Sequence, residues 1–313
     1  MSRRSAAVPT DGPPPPRQPD HRARLADLAV DWYARNARDL PWRKPDTTAW
    51  GVLVSEVMLQ QTPVARVTPV WLEWLARWPT PAHLAAEASG EAIRAWGRLG
   101  YPRRALRLHA CAVAVGERHD GEIPDDLDAL LALPGVGAYT ARAVAAFAFR
   151  QRHPVVDTNV RRLVARAAGG LADAGPATTA ADLAATEALL PADPATAAVA
   201  SAAFMELGAV RCVARTPLCE QCPLTAVCAW RRARDAGVAA PPGGPSRKPQ
   251  RYAGTDRQVR GLLLAVARGT EVPVPRAALD AVWADGVQRD RALASLLDDG
   301  LLVEPAEGFY ALP

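Results

Sequence analysis

Apolar residues recur at three-to-four spacing along most of the chain, and this period predicts α-helices. Pro or Gly breaks separate many of the periodic segments. The predicted helices span residues 25–35, 52–61, 69–77, 91–97, 103–116, 125–132, 138–150, 159–168, 178–190 and 196–208. Alternating apolar and polar residues, which indicate strands, occur in the sequence only near the C-terminus. The pattern therefore predicts an all-α protein.

The two ends of the chain differ from this helical part. Residues 1–24 contain four consecutive prolines and no apolar period, which predicts a disordered tail. Residues 231–254 are rich in Pro and Gly, as in a linker. Residues 255–313 then show three short helical patterns, followed by two apolar segments that can pair as a hairpin. We expect a small winged-helix-like domain there, a fold frequent in nucleic-acid binding and protein docking.

Composition narrows the class of protein. With 313 residues and 49% hydrophobic content, the chain can bury a large core and form more than one domain. The sequence has no signal peptide or membrane-spanning pattern, so we expect an intracellular, soluble protein without a membrane partner.

Basic residues are concentrated in two stretches, although the net charge is only +4. Residues 134–166 hold six arginines against one acid, and residues 231–260 hold eight basic residues against two acids. Such stretches favour a polyanionic partner, and a solvated charged face is the alternative.

Four of the five cysteines lie close together in the chain, in the spacing Cys-x6-Cys-x2-Cys-x5-Cys. These four are Cys212, Cys219, Cys222 and Cys228. Four thiolates in one short loop can surround a 4Fe-4S cluster or a zinc ion. Zinc is usually held by two Cys-x2-Cys pairs, and only one is present, so the spacing favours the cluster. The remaining cysteine, Cys111, is expected to be a small buried apolar residue.

The segment Leu133-Pro-Gly-Val-Gly-Ala-Tyr-Thr140 lies between two predicted helices. Gly135 and Gly137 allow positive φ angles and remove side chains from the turn, so backbone N–H groups of the second helix can reach a phosphate. This pattern indicates a helix-hairpin-helix, and an ordinary corner between two helices with a glycine cap is the alternative.

Two carboxyl groups have contrasting predicted surroundings. Glu56 interrupts an apolar helical stretch, where burial would keep it protonated near neutral pH, as a general acid requires. Asp157 immediately precedes a helix, where a negative charge is favoured and can stabilise a sugar cation. The alternatives are a solvent-facing glutamate and a simple helix N-cap. A neutral and a charged carboxyl together can break a glycosidic bond.

Several motifs occur together in one order: Leu40-Pro-Trp-Arg43, Ser55-Glu-Val-Met-Leu-Gln-Gln-Thr62, Leu99-Gly-Tyr101, Leu133-Pro-Gly-Val-Gly137 and Val156-Asp-Thr-Asn-Val160. With the cysteine loop, they resemble the helix-hairpin-helix DNA glycosylases that carry an iron-sulfur cluster, and among them the MutY-type adenine glycosylases. The resemblance covers residues 25–230, with the cluster loop at 212–228. It implies a two-lobed helical fold and excision of adenine opposite 8-oxoguanine or guanine in base excision repair.

The resemblance also implies roles for individual residues. The catalytic residues would be Glu56, Asp157, Tyr139 and Asn159. The pocket for the flipped adenine would be lined by Trp42, Arg43 and Glu206. The opposite purine would be contacted by Gln61, Thr62, Leu99 and Tyr101. The DNA phosphates would be bound by Gly135, Gly137, Arg211 and Arg215, and the cluster by the four loop cysteines.

Three positions depart from the family pattern. Thr158 stands where glycine is frequent, and Pro102 replaces a second tyrosine after Tyr101. The segment from Arg231 onward is too short and too helical for the Nudix-like domain that inspects 8-oxoguanine in many members. Recognition of the lesion thus has less support in the sequence than excision of adenine.

The family members that also cut the DNA strand use a lysine near the hairpin, and the corresponding residue here is Tyr139. The chain contains only two lysines, Lys44 and Lys248, neither of which occupies that place. A tyrosine cannot form an imine, so we expect a monofunctional enzyme.

The expected partner is double-stranded DNA with a mismatched or oxidised base pair, bound by a monomer. The expected location is the cytoplasm, at the nucleoid if the cell is bacterial. Alternatives are a thymine-mismatch or oxidised-pyrimidine glycosylase of the same fold, and a non-catalytic iron-sulfur DNA-binding protein.

Overall fold

The computed structural model describes residues 21–175, 177–238 and 252–313, and these form fifteen α-helices and three short β-strands. The helices are α1 (His21–Asn36), α2 (Ala49–Leu59), α3 (Val64–Arg77), α4 (Pro81–Ala85), α5 (Ser89–Trp96), α6 (Arg103–Arg118), α7 (Leu127–Leu131), α8 (Ala138–Phe147), α9 (Thr158–Ala167), α10 (Ala180–Glu187), α11 (Pro194–Val210), α12 (Ala229–Asp235), α13 (Asp256–Arg268), α14 (Arg276–Asp280) and α15 (Gly286–Asp298). The strands are β1 (Val274–Pro275), β2 (Val303–Ala306) and β3 (Phe309–Ala311). Single 3-10 turns occupy Pro41–Arg43 and Cys219–Gln221.

The all-α prediction is confirmed, and the differences lie at element boundaries. Helix α1 begins at His21, inside the predicted tail, because Leu25 and Ala26 are buried and anchor its first turns. Helix α12 extends into the predicted linker, with Trp230 buried on one side. Residues 1–20 of the tail and 239–251 of the linker lie outside the described residues. Of the described helices, none is long and apolar enough to cross a membrane.

One lobe is built from α2 to α8 around a large apolar core that is rich in tryptophan. Trp74 packs edge to face against Trp78 and Trp96, with ring centroids 4.7 and 5.7 Å apart. The Trp50 indole N–H donates to the Trp78 carbonyl at 3.0 Å, so the buried polar atom is satisfied. This packing holds α2 rigidly in the centre of the lobe.

The second lobe combines the N-terminal helix with later parts of the chain. Helices α1, α9 and α11 share one apolar core, and the cysteine loop closes its end through Cys212, Leu224 and Val227. A small separate cluster joins the lobes, in which Ala143 and Ala146 of α8 meet Val155 and Ala198. The start of α9 therefore lies where the two lobes meet.

The C-terminal segment contains α13 to α15 and an antiparallel sheet in the order β1-β3-β2. Val274 pairs with Tyr310, which adds a strand that the sequence pattern did not indicate. The apolar residues of this domain also belong to the same continuous core as those of the first lobe. The expected winged-helix-like module thus packs directly on the first lobe.

Candidate active site

Helix α2 carries Glu56 into the protein interior. Thr48 caps the helix by accepting from the Gly51 N–H at 3.1 Å. Most of the residues around Glu56 on α2 are apolar and buried, and Glu56 itself is only 5% exposed. Burial raises the pKa of Glu56 from 4.5 to about 7, with a further increase from the charge of Asp157, while Tyr139 and Arg43 oppose the rise. The predicted neutral carboxyl at this position therefore has a physical cause.

Asp157 is the N-cap of α9. Its Oδ1 accepts from the backbone N–H groups of Asn159 and Val160 at 2.8 and 2.7 Å, and its Oδ2 accepts from Asn159 Nδ2 at 2.7 Å. The N-cap role and the proposed catalytic role thus belong to the same side chain, because the donors that cap the helix also fix the carboxylate. A fixed carboxylate at a helix N-terminus is a suitable counter-charge for a developing cation.

Tyr139 connects the two carboxyl groups. It lies in the first turn of α8, and its hydroxyl donates a hydrogen bond to Glu56. Burial and the charges of Glu56 and Asp157 raise the pKa of Tyr139 well above its usual value. The hydroxyl is therefore a neutral donor throughout the physiological pH range.

Asn159 links Asp157 to the cysteine loop through Arg162. Its Oδ1 accepts from Arg162 Nη2 at 2.8 Å, and Arg162 Nε donates to the Cys212 carbonyl at 2.6 Å. Arg162 Nη2 also donates to the Gly208 carbonyl at 2.7 Å. The guanidinium of Arg162 therefore fixes the relative positions of α9, the C-terminal part of α11 and the start of the cysteine loop.

Glu206 lies beside Arg43 in a buried ion-pair network, and its expected place at the adenine pocket stays a prediction. It is fully buried, and its carboxylate accepts from Arg38 at 2.6 and 2.8 Å and from Arg43 at 2.8 Å. Burial alone would raise the pKa of Glu206, but the hydrogen bonds and charges of both arginines lower it to about 2. Glu206 thus acts by positioning Arg43.

Arg43 has a hydrogen-bond donor available for a ligand, whereas the Trp42 ring is packed against another side chain. Arg43 Nη1 is buried and has no hydrogen-bond partner among the described residues, so it can donate to a ligand. Trp42 is largely buried and packs edge to face on Trp71, with ring centroids 6.0 Å apart. Trp42 is thus part of the apolar core in this structure, and its expected place at the adenine pocket stays a prediction.

The four residues expected at the opposite purine fall into two pairs. Gln61 and Tyr101 are exposed and adopt left-handed φ angles of 55° and 49°. Non-glycine residues rarely adopt this conformation, and where they do the position is frequently functional. Thr62 and Leu99 are buried, at 6% and 4% exposure. Thr62 Oγ1 donates to the carbonyls of Gln60 and Leu99 and so links the two turns, and contact of all four residues with the opposite purine stays a prediction.

The hairpin between α7 and α8 needs only one glycine for its backbone. Gly135 has φ of +77°, and an added Cβ would lie 2.7 Å from Arg107 Cβ. Gly137 has an ordinary φ of −94° and is the N-cap of α8, so the expected positive φ at Gly137 is wrong. No atom lies within 4 Å of where a Gly137 Cβ would stand, and a close-approaching backbone could use that space.

The four loop cysteines line one cavity, together with Arg166 and Trp230. Arg166 Nη1 lies 3.6 Å from Cys212 Sγ, and Arg166 also donates to the carbonyls of Val213 and Ala214. In the described part of the chain, no three Cys, His, Asp or Glu side chains converge as a single metal ion requires. Around one zinc ion the sulfurs would lie within about 4 Å of one another. The four thiols line one cavity, so they can serve a single bound group.

The two arginines expected at phosphates differ in exposure. Arg211 is partly buried, with its guanidinium 5.8 Å from the centroid of the Trp32 ring. Arg215 is exposed on the cysteine loop. Cys111 is buried as expected, and burial raises its pKa to about 12, which makes the thiol unreactive.

Comparison with known proteins agrees with this geometry. Residues 54–187 match the model of the HhH-GPD superfamily base excision DNA repair protein, and residues 212–228 match the iron-sulfur binding domain of endonuclease III. An adenine DNA glycosylase of Mycobacterium tuberculosis is 56% identical over 283 residues, which cover 90% of this chain and 91% of the relative. This chain belongs to the adenine DNA glycosylase family. It is thus a base excision repair enzyme with an iron-sulfur binding segment.

Further relatives of this glycosylase support the same assignment. The adenine DNA glycosylase of Mycolicibacterium smegmatis is 57% identical over 284 residues, covering 90% of this chain and 94% of the relative. A thermostable thymine-DNA glycosylase has a similar fold, with a TM-score of 0.60 at 24% identity over 68% of this chain and 97% of that one. Endonuclease III in a non-covalent DNA complex gives 0.56 at 23% identity, over 68% and 96%. At such low identity, these two structures establish the fold only.

Sequence reasoning missed several residues that organise the glycosylase site, namely Arg38, Arg104, Arg162 and Arg166. Each arginine is at least partly buried or bound to a buried group, and its acceptors come from distant parts of the chain. The only sequence signal was the high arginine content of residues 134–166, which includes Arg162 and Arg166. That stretch was interpreted as a surface for a polyanion, whereas these two guanidinium groups are largely used inside the fold.

Proposed function

We propose that this glycosylase hydrolyses the N-glycosidic bond of adenine opposite 8-oxoguanine or guanine in double-stranded DNA and leaves an abasic site. The observation that carries the proposal is the pair formed by a buried Glu56, with a pKa raised to about 7, and Asp157, fixed by three donors. One carboxyl is available as an acid and the other as a counter-charge.

In the proposed reaction, Glu56 donates its proton to the adenine ring while the bond from the sugar to the base breaks. The electron pair of that bond moves onto the protonated base, which leaves as neutral adenine. Asp157 stabilises the oxocarbenium ion that forms on the sugar, either electrostatically or by transient covalent bonding. Water then adds to the sugar carbon, and the ionised Glu56 takes up its proton. Tyr139 and Asn159 keep the two carboxyl groups in place.

The flipped base would meet Arg43. Its buried Nη1 has no protein partner among the described residues, while its Nη2 donates to Glu206, which Arg38 also binds. A ring nitrogen of adenine is a suitable acceptor for this donor. Base flipping is required because a stacked base cannot reach a carboxyl group inside the protein.

The other side of the base pair would meet Gln61 and Tyr101. Their side chains are exposed on two neighbouring turns whose left-handed residues are held from below. An aromatic ring at 50% exposure can occupy the gap that base flipping leaves in the stack. The hairpin at Gly135 and Gly137, with Arg211 and Arg215, would bind the flanking phosphates.

For the cysteine loop we propose a 4Fe-4S cluster, held by Cys212, Cys219, Cys222 and Cys228. Support comes from the cavity that all four thiols line and from the match to an iron-sulfur binding domain. Bound there, the cluster would hold the four cysteines of the loop together, beside Arg162 and Arg166 of α9, which bind the start of the loop. We also propose that the enzyme acts as a monomer in the cytoplasm, where chromosomal DNA is found if the cell is bacterial.

The test is a single-turnover assay on duplexes with adenine opposite 8-oxoguanine, adenine opposite guanine, and thymine opposite guanine. We expect adenine release from the first two and none from the third. Release of thymine alone would replace the proposal with a thymine-mismatch glycosylase. Binding without release of any base would favour a non-catalytic DNA-binding protein.

The same reactions with borohydride test the monofunctional assignment. Since Tyr139 stands where a Schiff-base lysine would be needed, we expect little covalent adduct and strand cleavage only after alkali treatment. Efficient trapping, with cleavage at the rate of base release, would show a lyase activity.

A further inference from the structure

We infer that the C-terminal domain, residues 255–313, positions the loop that probes the opposite base and so sets the enzyme's discrimination between partners of adenine. This loop, Gly97–Tyr101, joins α5 to α6 and is called the probe loop below. The inference rests on the proposed function, because it takes Tyr101 to contact the opposite strand. The C-terminal domain holds both helices that flank the probe loop.

Helix α5 is held at its first turn and along its side. The Gly90 N–H donates to the Pro313 carbonyl at 2.7 Å, which satisfies a backbone donor that a helix start leaves open. Arg268 Nε donates to the Ile93 carbonyl at 3.1 Å, and Arg94 donates in return to the Arg268 carbonyl. An added Cβ on Gly90 would lie only 2.8 Å from Leu312 Cβ, so this approach requires glycine.

Helix α6 is held at its first residue, which follows the probe loop after Pro102. Arg103 forms an ion pair with Asp299 at 3.1 Å. Asp299 is itself fixed by Arg260 of α13 at 2.6 Å. The C-terminal domain therefore contacts the chain on both sides of the probe loop.

The next residue, Arg104, connects the probe loop to the end of α2, the helix that carries Glu56. It is buried, and Nη1 donates to the carbonyls of Val57, Met58 and Gln60 at 2.8, 3.0 and 2.7 Å. Nη2 donates to Thr62 Oγ1 at 2.9 Å and to the Gly100 carbonyl at 3.0 Å. One guanidinium thus joins the end of the helix that carries Glu56, the turn that presents Gln61, and the probe loop.

The charge of residues 255–313 indicates that the C-terminal domain does not itself contact the DNA bases. Residues 255–313 contain nine acidic and six basic side chains. On α15, the helix that a winged-helix protein would place in the major groove, Arg289 pairs with Asp280 and Arg291 pairs with Asp256. Net negative charge opposes approach to phosphates, so a positioning role suits this domain better than base contact.

Gly90→Ala is the sharpest test. The new methyl group would clash with Pro313 and Leu312 and so weaken the contact of the C-terminal residues with α5. It should not weaken α5 itself, since alanine is a better helix residue than glycine. The matched control is Gly116→Ala in α6, where an added Cβ meets no atom within 4 Å. Both variants change one helical glycine to alanine in the same lobe.

The measured quantity is the ratio of single-turnover rates for adenine opposite 8-oxoguanine and opposite guanine. We expect Gly90→Ala to lower this ratio about 3- to 10-fold relative to Gly116→Ala, the range of coupling through packed elements. Hydrogen exchange at residues 309–313 should rise in Gly90→Ala only. Asp299→Asn should shift the ratio in the same direction but less, because Arg103 is largely exposed, and exposed Asp298→Asn should not.

An unchanged ratio in Gly90→Ala, whether or not exchange at residues 309–313 rises, would overturn the inference. Failure of the proposed function would look different, because wild type and Gly116→Ala would then release no adenine at all. A merely structural role is also separable, since it would lower the melting temperature and both rates together without changing their ratio.

Discussion

At the residue scale, the site depends on one acidic side chain that is kept away from water. Glu56 is buried among the apolar residues of α2, and Tyr139 supplies a hydrogen bond that only partly compensates for the lost hydration. Asp157 has the opposite environment, with three donors aimed at its oxygens. In the proposed reaction, two carboxyl groups of similar intrinsic acidity thereby take different roles.

The burial of Glu56 should cost stability, and the cost should depend on pH. Its pKa is raised in the folded state, so the unfolded chain loses this proton first as pH increases from about 4.5 to about 7. Stability contributed by Glu56 should therefore fall across that window, by on the order of 3 kcal/mol. Glu56→Gln removes the effect, so its free energy of unfolding relative to wild type should rise between pH 4.5 and pH 8.

Denaturant unfolding of both proteins at several pH values measures this difference. Asp46→Asn, at an exposed acid of the same lobe, is the control and should show no such trend. A difference between Glu56→Gln and wild type that stays constant with pH would mean that folding does not shift the pKa of Glu56.

At the element scale, the site is held by close contact between α9 and α11. An added Cβ on Gly208 would lie 2.6 Å from the Asn159 backbone oxygen and 2.9 Å from Asn159 Cβ. Arg162 crosses the same contact with bonds to Asn159, Gly208 and Cys212. The position of Asp157 therefore depends on how closely the two helices approach.

Gly208→Ala should push these helices apart. We expect a loss of about 1 to 3 kcal/mol in stability, since the nearest atoms are backbone and cannot rotate away. Adenine release should slow about tenfold or more, because Asn159 orients the Asp157 carboxylate. Thermal melting and single-turnover rates check both effects, with Gly116→Ala as the control. Wild-type values for Gly208→Ala would show that Asp157 does not depend on this contact.

Much of this arrangement could be predicted from the sequence, and the limits have physical causes. The periodic apolar pattern predicted most helices, but the five-residue α4 is too short to show a period. Helix α3 begins at Val64, well before the expected start at residue 69, because Pro63 is its N-cap and Pro69 lies inside the helix. Glu56 and the cysteine loop could be predicted as functional from the sequence, because their residue types are unusual for their surroundings.

The arginine partners could not be predicted in the same way. Arg38 binds Glu206, and the two are separated by 168 positions in the sequence. Arg104 binds the Gln60 carbonyl across a separation of 44 positions. Backbone carbonyls have no sequence signature, so these pairs appear only when the chain is folded. The same holds for the contact between Gly90 and Pro313.

At the scale of the whole molecule, the start of α9 lies where the two lobes meet, and the C-terminal domain packs on the first lobe. The first lobe supplies Glu56 and Tyr139, the second supplies Asp157 with the cysteine loop, and the C-terminal domain contacts the helices that carry the probe loop. In the proposed reaction, excision therefore depends on the relative placement of the two lobes, and we infer that discrimination depends on the C-terminal domain.

The most direct test of the central claim is the pH dependence of adenine release under single-turnover conditions, from a duplex with 8-oxoguanine opposite adenine. If a protonated Glu56 drives the reaction beside Asp157, the rate should be constant at low pH and decline about tenfold per pH unit above about pH 7. Glu56→Gln and Asp157→Asn should bind the duplex with near-normal affinity and release almost no adenine. A rate that stays constant from about pH 5.5 to about pH 9, or near-normal release by either variant, would contradict the account.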